Sequence, residues 1–327
     1  MDVFYQVMQS TMLIAMPLMI VALGGLFSER SGVTNIALEG IMLIGGFFGI
    51  WAVQIIEKNG NLNNQLIYFI AILVAAVFGA IFSMLHAFAS INMKANQIIS
   101  ATALNIFAVA FVIFVARSTQ RTPEGNLTGG SQISFNTRFM IPEFPVLSKI
   151  PFIGDIFFKQ MFQSLFIGIF LLILTIVVIN YTKFGLRLRA CGENPHAADS
   201  LGINIYKMRF ISVMISGAFA GMGGAIFTAN TLTEYAPTMV GLGFLAIAVL
   251  IFGNWKPSFV FLAAMFFAFL RVLGQYYNNI PFLSNIGIPE AFYRMTPYIA
   301  TLVVLSFLSK SSRAPKALGQ IYDKGQR

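Results

Sequence analysis

Apolar runs of membrane-spanning length fall at about 11–27, 36–56, 66–90, 98–116, 161–181, 209–229, 239–253, 258–276 and 294–309. A helix needs about 20 such residues to cross a hydrocarbon core. The pattern therefore predicts an all-α polytopic membrane protein with about nine (roughly eight to ten) transmembrane helices. The run at 239–253 is short for a full crossing and reads as half of a broken helix. One long polar connection, 117–160, is punctuated by Pro123, Gly125, Gly129, Gly130, Pro142, Pro145 and Pro151. Such punctuation predicts an irregular external loop with short helices, either a cap on the outer mouth and contact for an external partner, or a passive connector.

Two regions look alike. A helix ending Gly24-Gly25-Leu26 leads into the stretch from Asn35 to Gly46, and a helix containing Gly217, Gly221, Gly223 and Gly224 leads into the stretch from Gly241 to Gly253. Each is followed by two further spans. Pairing the first four helices with the last four leaves the fifth as a link, and that odd offset inverts the second copy. Inverted repeats with glycine-interrupted segments in matching places point to a transport path. The expected organisation is a single permease-like domain over 1–327. It comprises repeat one (about 11–116), the external loop (117–160), a linking helix (161–181), a basic loop (182–208), repeat two (209–309) and a tail (310–327).

Composition sharpens this picture. Of the 327 residues, 57% are hydrophobic and 10% charged, against about 25% charged in soluble domains. So much apolar surface excludes a soluble enzyme, a secreted disulfide scaffold and a disordered chain. The net charge of +9 would point to nucleic acid in a soluble domain, but here the basic residues sit between apolar runs, so nucleic acid is not an expected partner. Lys183, Arg187, Arg189, Lys207 and Arg209 lie in or beside loop 182–208, and Lys310, Arg313, Lys316, Lys324 and Arg327 in the tail. The positive-inside rule places both in the cytoplasm, with the N-terminus outside a cell (plasma) membrane. Thirteen of the 21 Lys and Arg residues then lie inside. The first ten residues hold no Lys or Arg, so the first run is expected to be a retained helix rather than a signal peptide.

No glycine loop with Lys-Ser/Thr is present for binding ATP, and no His, Cys and carboxylate cluster has metal spacing. No nucleophile comes with a base. Catalytic residues, metal ligands and a cofactor of its own are therefore not expected. Cys191 reads as a bystander thiol. His86 reads as a packing histidine, with a proton relay as the other possibility. In loop 182–208, Asn194 suits an N-cap, Pro195 the first helical position and Gly202 the exit; Glu193 favours the helix start. Ala197, Ala198 and Leu201 supply a small apolar face. The product is a two-turn helix that either docks into a partner or packs under its own bundle. Glu39 opens the second apolar run. It either lines the path or locks a broken helix, or it is an N-terminal charge held by Arg30 or backbone amides. Asn92, Asn96, Gln97 and Asn105 enter the fourth span, where packing and ligand contact are both open.

Three stretches resemble a known family. They are the segment from Glu29 to Gly40, the segment from Arg189 to Ala198 followed by Gly202-Ile203, and the segment Gly241-Leu242-Gly243-Phe244 through Gly253. They are similar to the signatures of membrane permease subunits of ABC importers in the nucleoside and sugar branch, most nearly the shorter permease of purine-nucleoside importers served by a surface lipoprotein. The resemblance covers nearly the whole chain. It implies a fold similar to the vitamin B12-type importer core, with two inverted four-helix repeats flanking a linking helix. It implies that Arg187, Arg189, Ala190, Gly192, Glu193, Asn194, Pro195, Ala197, Ala198 and Gly202 couple the chain to a separate ATPase, which holds ATP and Mg. It also implies a sister permease in a heterodimer and a substrate-binding lipoprotein. Asn35, Glu39, Asn105, Gly241 and Gly243 are the candidates for the translocation path. A permease for ribose or another small polar solute, and an ion-coupled secondary transporter, are the competing functions.

Overall fold

A computed structural model describes residues 2–60, 62–119, 130–143, 148, 154, 159–280, 289–308 and 313–325. Its helices are α1 (Asp2–Arg30), α2 (Leu38–Asn59), α3 (Asn64–Ala87, continued by a π turn Phe88–Asn92) and α4 (Gln97–Thr119). They continue with α5 (Ser164–Tyr181), α6 (Lys183–Glu193), α7 (Pro195–Ser200) and α8 (Ile205–Thr231). The chain then forms α9 (Leu242–Phe252), α10 (Pro257–Tyr276) and α11 (Glu290–Leu308). Each apolar run of the sequence lies on one helix. Among the described residues, seven helices are long and apolar enough to cross a membrane. The 11 residues of α9 rise only about 16 Å, roughly half a hydrocarbon core.

The repeat is visible in the packing. α1 packs on α8, α9 and α10, while α8 packs on α1, α2 and α3. Exchanging α1–α4 for α8–α11 maps these pairings onto one another, and it maps the contacts of α2 with α3 and α4 onto those of α9 with α10 and α11. α1 and α8 run antiparallel: Arg209 at the start of α8 donates to Ser31 O just past the end of α1, while Gly223 lies against Pro17 and Val21. The relation is therefore an inverted one, and α5 sits outside it against α1 and α10.

The centre of the bundle is held by backbone contact. A Cβ at Gly45 would fall on the Gly221 backbone, one at Gly79 on the Gly217 carbonyl, and one at Gly224 on the Met42 carbonyl. Lipid tails are as apolar as leucine, so helices in a membrane gain more from such close approach than from hydrophobic burial.

Around the long connection the described residues form two short antiparallel ladders. β1 (Ile133–Ser134) pairs with β4 (Glu234–Tyr235), and β2 (Ile141–Glu143) pairs with β3 (Lys159–Met161). The sequence suggested irregular loop and short helices here. The strands form because buried Ile133 and Tyr235 anchor one ladder, and because the Glu57 carboxylate accepts from Thr137 N–H (2.7 Å) and the Thr137 hydroxyl. Pro123, Gly125, Gly129, Pro145 and Pro151 lie outside the described residues.

Candidate functional site: a helix break and a capped surface helix

After α1 the chain leaves the helix at Ser31 and re-enters one at Leu38. The backbone groups freed by that break are satisfied by side chains from neighbouring helices. His86 Nε2 lies 2.9 Å from Thr34 O. A carbonyl can only accept, so Nε2 carries the proton, and Nδ1 accepts from the Ser100 hydroxyl at 3.2 Å. Gln97 Oε1 accepts from Thr34 N–H (2.7 Å), and Asn35 Nδ2 donates to Ser216 Oγ (3.0 Å). Asn105 accepts from Gly40 N–H (2.8 Å) and donates to Ile36 O (3.0 Å), as a peptide group would. Asn96 caps α4 through Ile98 N–H (2.9 Å).

The second break precedes α9. Val240 and Gly241 both have positive φ (52° and 75°), as do Asn254 and Trp255 just after the helix (50° and 53°). For β-branched Val240 this conformation costs about 1–2 kcal/mol. Such strain is retained where the surroundings fix it and is a feature of functional segments. Here the fixing group is Glu39. Its Oε1 accepts from Gly241 N–H (2.9 Å) and its Oε2 from Gly243 N–H (2.6 Å). A Cβ at Gly243 would fall on the Glu39 backbone, so the starts of α2 and α9 abut. Two positive helix ends meet there with one carboxylate between them. Of the partners open from sequence, backbone amides hold Glu39. Arg30 instead donates through Nε (3.2 Å) and Nη2 (2.7 Å) to Trp255 O, and Trp255 Nε1 donates to Glu29 (2.5 Å).

Sequence reasoning missed two residues at this break. Arg271 on α10 interacts electrostatically with both Glu39 and Tyr298 on α11, and the Tyr298 hydroxyl reaches to 3.4 Å from where a Gly241 Cβ would sit. A charge inside the apolar run 258–276 was the signal that it belongs in the bundle.

The predicted surface helix is present as α7. Asn194 Oδ1 accepts from Ala197 N–H (3.0 Å), Pro195 takes the first helical position, and Gly202 leaves with φ +80°. One detail differs from the expectation. Ala197, Ala198 and Leu201 do not form one apolar face. Ala198 is buried with Pro195, one turn earlier, while Ala197 and Leu201, four residues apart, point outward together. Leu201 is 82% exposed.

Helix α6 was not anticipated. Gly185 and Gly192 argue against it locally, but Gly185, Leu188, Cys191 and Gly192 form a buried stripe at helical spacing. Gly192 leaves no room for a side chain against Arg30 O. Arg187, Glu193 and Asn194 are exposed, Arg189 and Ala190 half-buried. Burial pushes the Cys191 thiol up to about 11. Compared with an ordinary thiol it holds about a hundredfold less thiolate at neutral pH. N-ethylmaleimide should therefore leave Cys191 unmodified in the folded protein and label it fully in detergent-denatured protein; fast labelling of the folded form would contradict this burial.

Comparison with known proteins agrees with this geometry. A family model described as "branched-chain amino acid transport system / permease component" matches residues 7–305. The chain is 37% identical to the guanosine ABC transporter permease protein NupQ of Bacillus subtilis, over 98% of this chain and 97% of that one. It is 38% identical to the nucleoside ABC transporter permease protein NupC of Lactococcus lactis, over 98% of each. With NupP, a guanosine ABC transporter permease protein also from Bacillus subtilis, identity is 26% over 94% of this chain and 82% of that one. Broken helices meeting head to head, an inverted repeat and full-length likeness thus converge: the chain is a multi-pass membrane protein belonging to the family of ABC transport-system permease components.

Proposed function

We propose that this chain is the permease subunit of an ATP-driven importer of nucleosides, with purine nucleosides as the leading substrates. The observation that carries the substrate class is the 37–38% identity, over nearly the full length, to permeases named for guanosine and nucleosides. In this reading α7 faces the cytoplasm and seats in a cleft of a separate ATPase that holds ATP and Mg. Its outward face, Ala197 and Leu201, supplies the apolar contact, and Arg187 on α6 supplies charge at the rim. Asn194, Pro195, Ala198 and Gly202 shape the helix, while Arg189, Ala190, Gly192 and Glu193 fix its approach.

The path for solute runs past the abutting starts of α2 and α9. Glu39, Gly241 and Gly243 form the movable joint there, and Asn35 and Asn105 hold its fixed side. A sister permease completes the path, as NupP and NupQ are both permease proteins of Bacillus subtilis. A surface lipoprotein delivers the nucleoside to the end of the bundle carrying the β ladders. The tail lies on the cytoplasmic side.

Uptake of labelled guanosine and adenosine by cells with and without the gene tests this, at fixed ATP and with the proton gradient collapsed. Deletion should remove the gradient-independent uptake. Retained nucleoside uptake with lost ribose uptake would move the assignment to sugars, and uptake that vanishes with the gradient alone would overturn ATP drive.

A further inference from the structure

Residues 313–325 of the tail, read from sequence only as a basic extension, run across the bundle as a strap. At its start, Arg313 N–H donates to Asn254 Oδ1 (2.7 Å), at the strained exit of α9. Ala317 N–H then donates to Gly192 O (2.8 Å) at the α6–α7 junction, and Gly319 N–H to Gly32 O (3.1 Å) in the break after α1. Arg209, only 3% exposed, bridges the same two segments: Nε donates to Ser31 O (3.1 Å) and Nη1 to Gln320 O (3.0 Å). Tyr322 is buried (4% exposed). Its ring lies 5.2 Å from that of His196 on α7 and 5.5 Å from that of Tyr206 on α8. Asp323 closes the strap onto Lys94, beyond the π turn of α3, at 2.7 Å.

The strap therefore touches α7, the 31–37 turn and the exit of α9, all at once. The 31–37 turn leads directly to Glu39, and Asn254 lies just past the helix whose start Glu39 caps. A two-turn helix such as α7 is too short to hold its own position. We propose that residues 313–325 are a positioning element for energy coupling: the strap makes α7 and the 31–37 turn move as one body, so that displacement of α7 by the ATPase reaches the Glu39 joint. This rests on the reading that α7 docks on an ATPase.

The test uses the assembled transporter in proteoliposomes, with ATP hydrolysis and nucleoside uptake measured together. Tyr322→Ala should raise the ATP hydrolysed per nucleoside imported at least about tenfold, whereas Tyr322→Phe, which keeps the ring packing, should stay within about twofold of the unmodified transporter. Asp323→Lys, at an exposed pair, should raise the ratio about twofold, and Lys94→Asp combined with Asp323→Lys should restore it. A ratio unchanged in Tyr322→Ala overturns the proposal. If Tyr322→Ala does not assemble, an unchanged ratio in Ala317→Pro, which removes the donor to Gly192 O, overturns it instead. Leu201→Glu separates the two readings. Lost uptake there, with strap variants silent, removes the strap alone; normal uptake there removes ATPase docking and the strap's role with it.

Discussion

Gly221→Val should leave no folded permease in the membrane. A Cβ at Gly221 would fall on the Ala75 carbonyl and stand 3.1 Å from Gly79 Cα, while a Cβ at Gly45 would meet Gly221 itself. These obstacles are backbone atoms, so no rotamer change relieves them. α2, α3 and α8 would have to separate along their length. Overpacking a core costs about 1–3 kcal/mol where side chains can yield. Here they cannot, and the cost should exceed about 3 kcal/mol, a large part of the 5–15 kcal/mol that holds a typical fold together. The close packing that substitutes for hydrophobic drive inside lipid is lost with it. Size-exclusion chromatography of a fluorescent fusion should show the monodisperse peak gone. Gly60→Ala, where nothing lies within 4 Å of the new Cβ, should keep it. A normal peak for Gly221→Val would refute the three-helix crossing.

What the sequence disclosed follows from which forces are local. Long apolar runs are set by membrane thickness alone, so each of them lies on a helix, and the shortness of 239–253 correctly marked α9 as half a span. Capping is equally local, and Asn194, Pro195 and Gly202 take the places their chemistry predicts. The inverted repeat was legible because glycines recur where backbones touch, and the family through the local motifs at 29–40, 189–203 and 241–253.

Four features were not legible, each because it depends on distant partners. α6 contains two glycines, yet its buried stripe packs against α1, α5 and α8. The β1–β4 ladder joins segments about a hundred residues apart. The strap's backbone donors at Ala317 and Gly319 and the Arg209 guanidinium that meets it leave no residue pattern to read. Arg271 lies inside the apolar run 258–276, but its partners Glu39 and Tyr298 sit on other helices and leave no local pattern. At α7 the residues were found but their direction was not, since Ala197 and Ala198 are adjacent in sequence yet the first is exposed and the second buried.

Glu39→Ala should reduce nucleoside uptake about a hundredfold without loss of protein from the membrane. The starts of α2 and α9 abut, and each contributes about half a positive charge. The Glu39 carboxylate accepts from Gly241 N–H and Gly243 N–H, and it faces Arg271 across the joint. With alanine, both amides lose their acceptor, at about 1–3 kcal/mol each, and the two helix ends and Arg271 repel without an intervening charge. The bundle survives because α1, α2, α3 and α8 still pack on one another, away from the joint. A loss of about 3 kcal/mol in one conformation of the joint is enough to shift a two-state equilibrium by about two orders of magnitude. Glu39→Gln separates charge from hydrogen bonding. Its amide oxygen can accept from one of the two N–H groups, but its NH2 then confronts the other as donor against donor. The decline should be about tenfold, lying between Glu39→Ala and the unmodified chain. Equal loss in both variants would assign the whole effect to charge. Uptake unchanged in Glu39→Ala, at normal abundance, would mean that the joint between α2 and α9 stays closed throughout the transport cycle, and the path would have to lie elsewhere in the bundle.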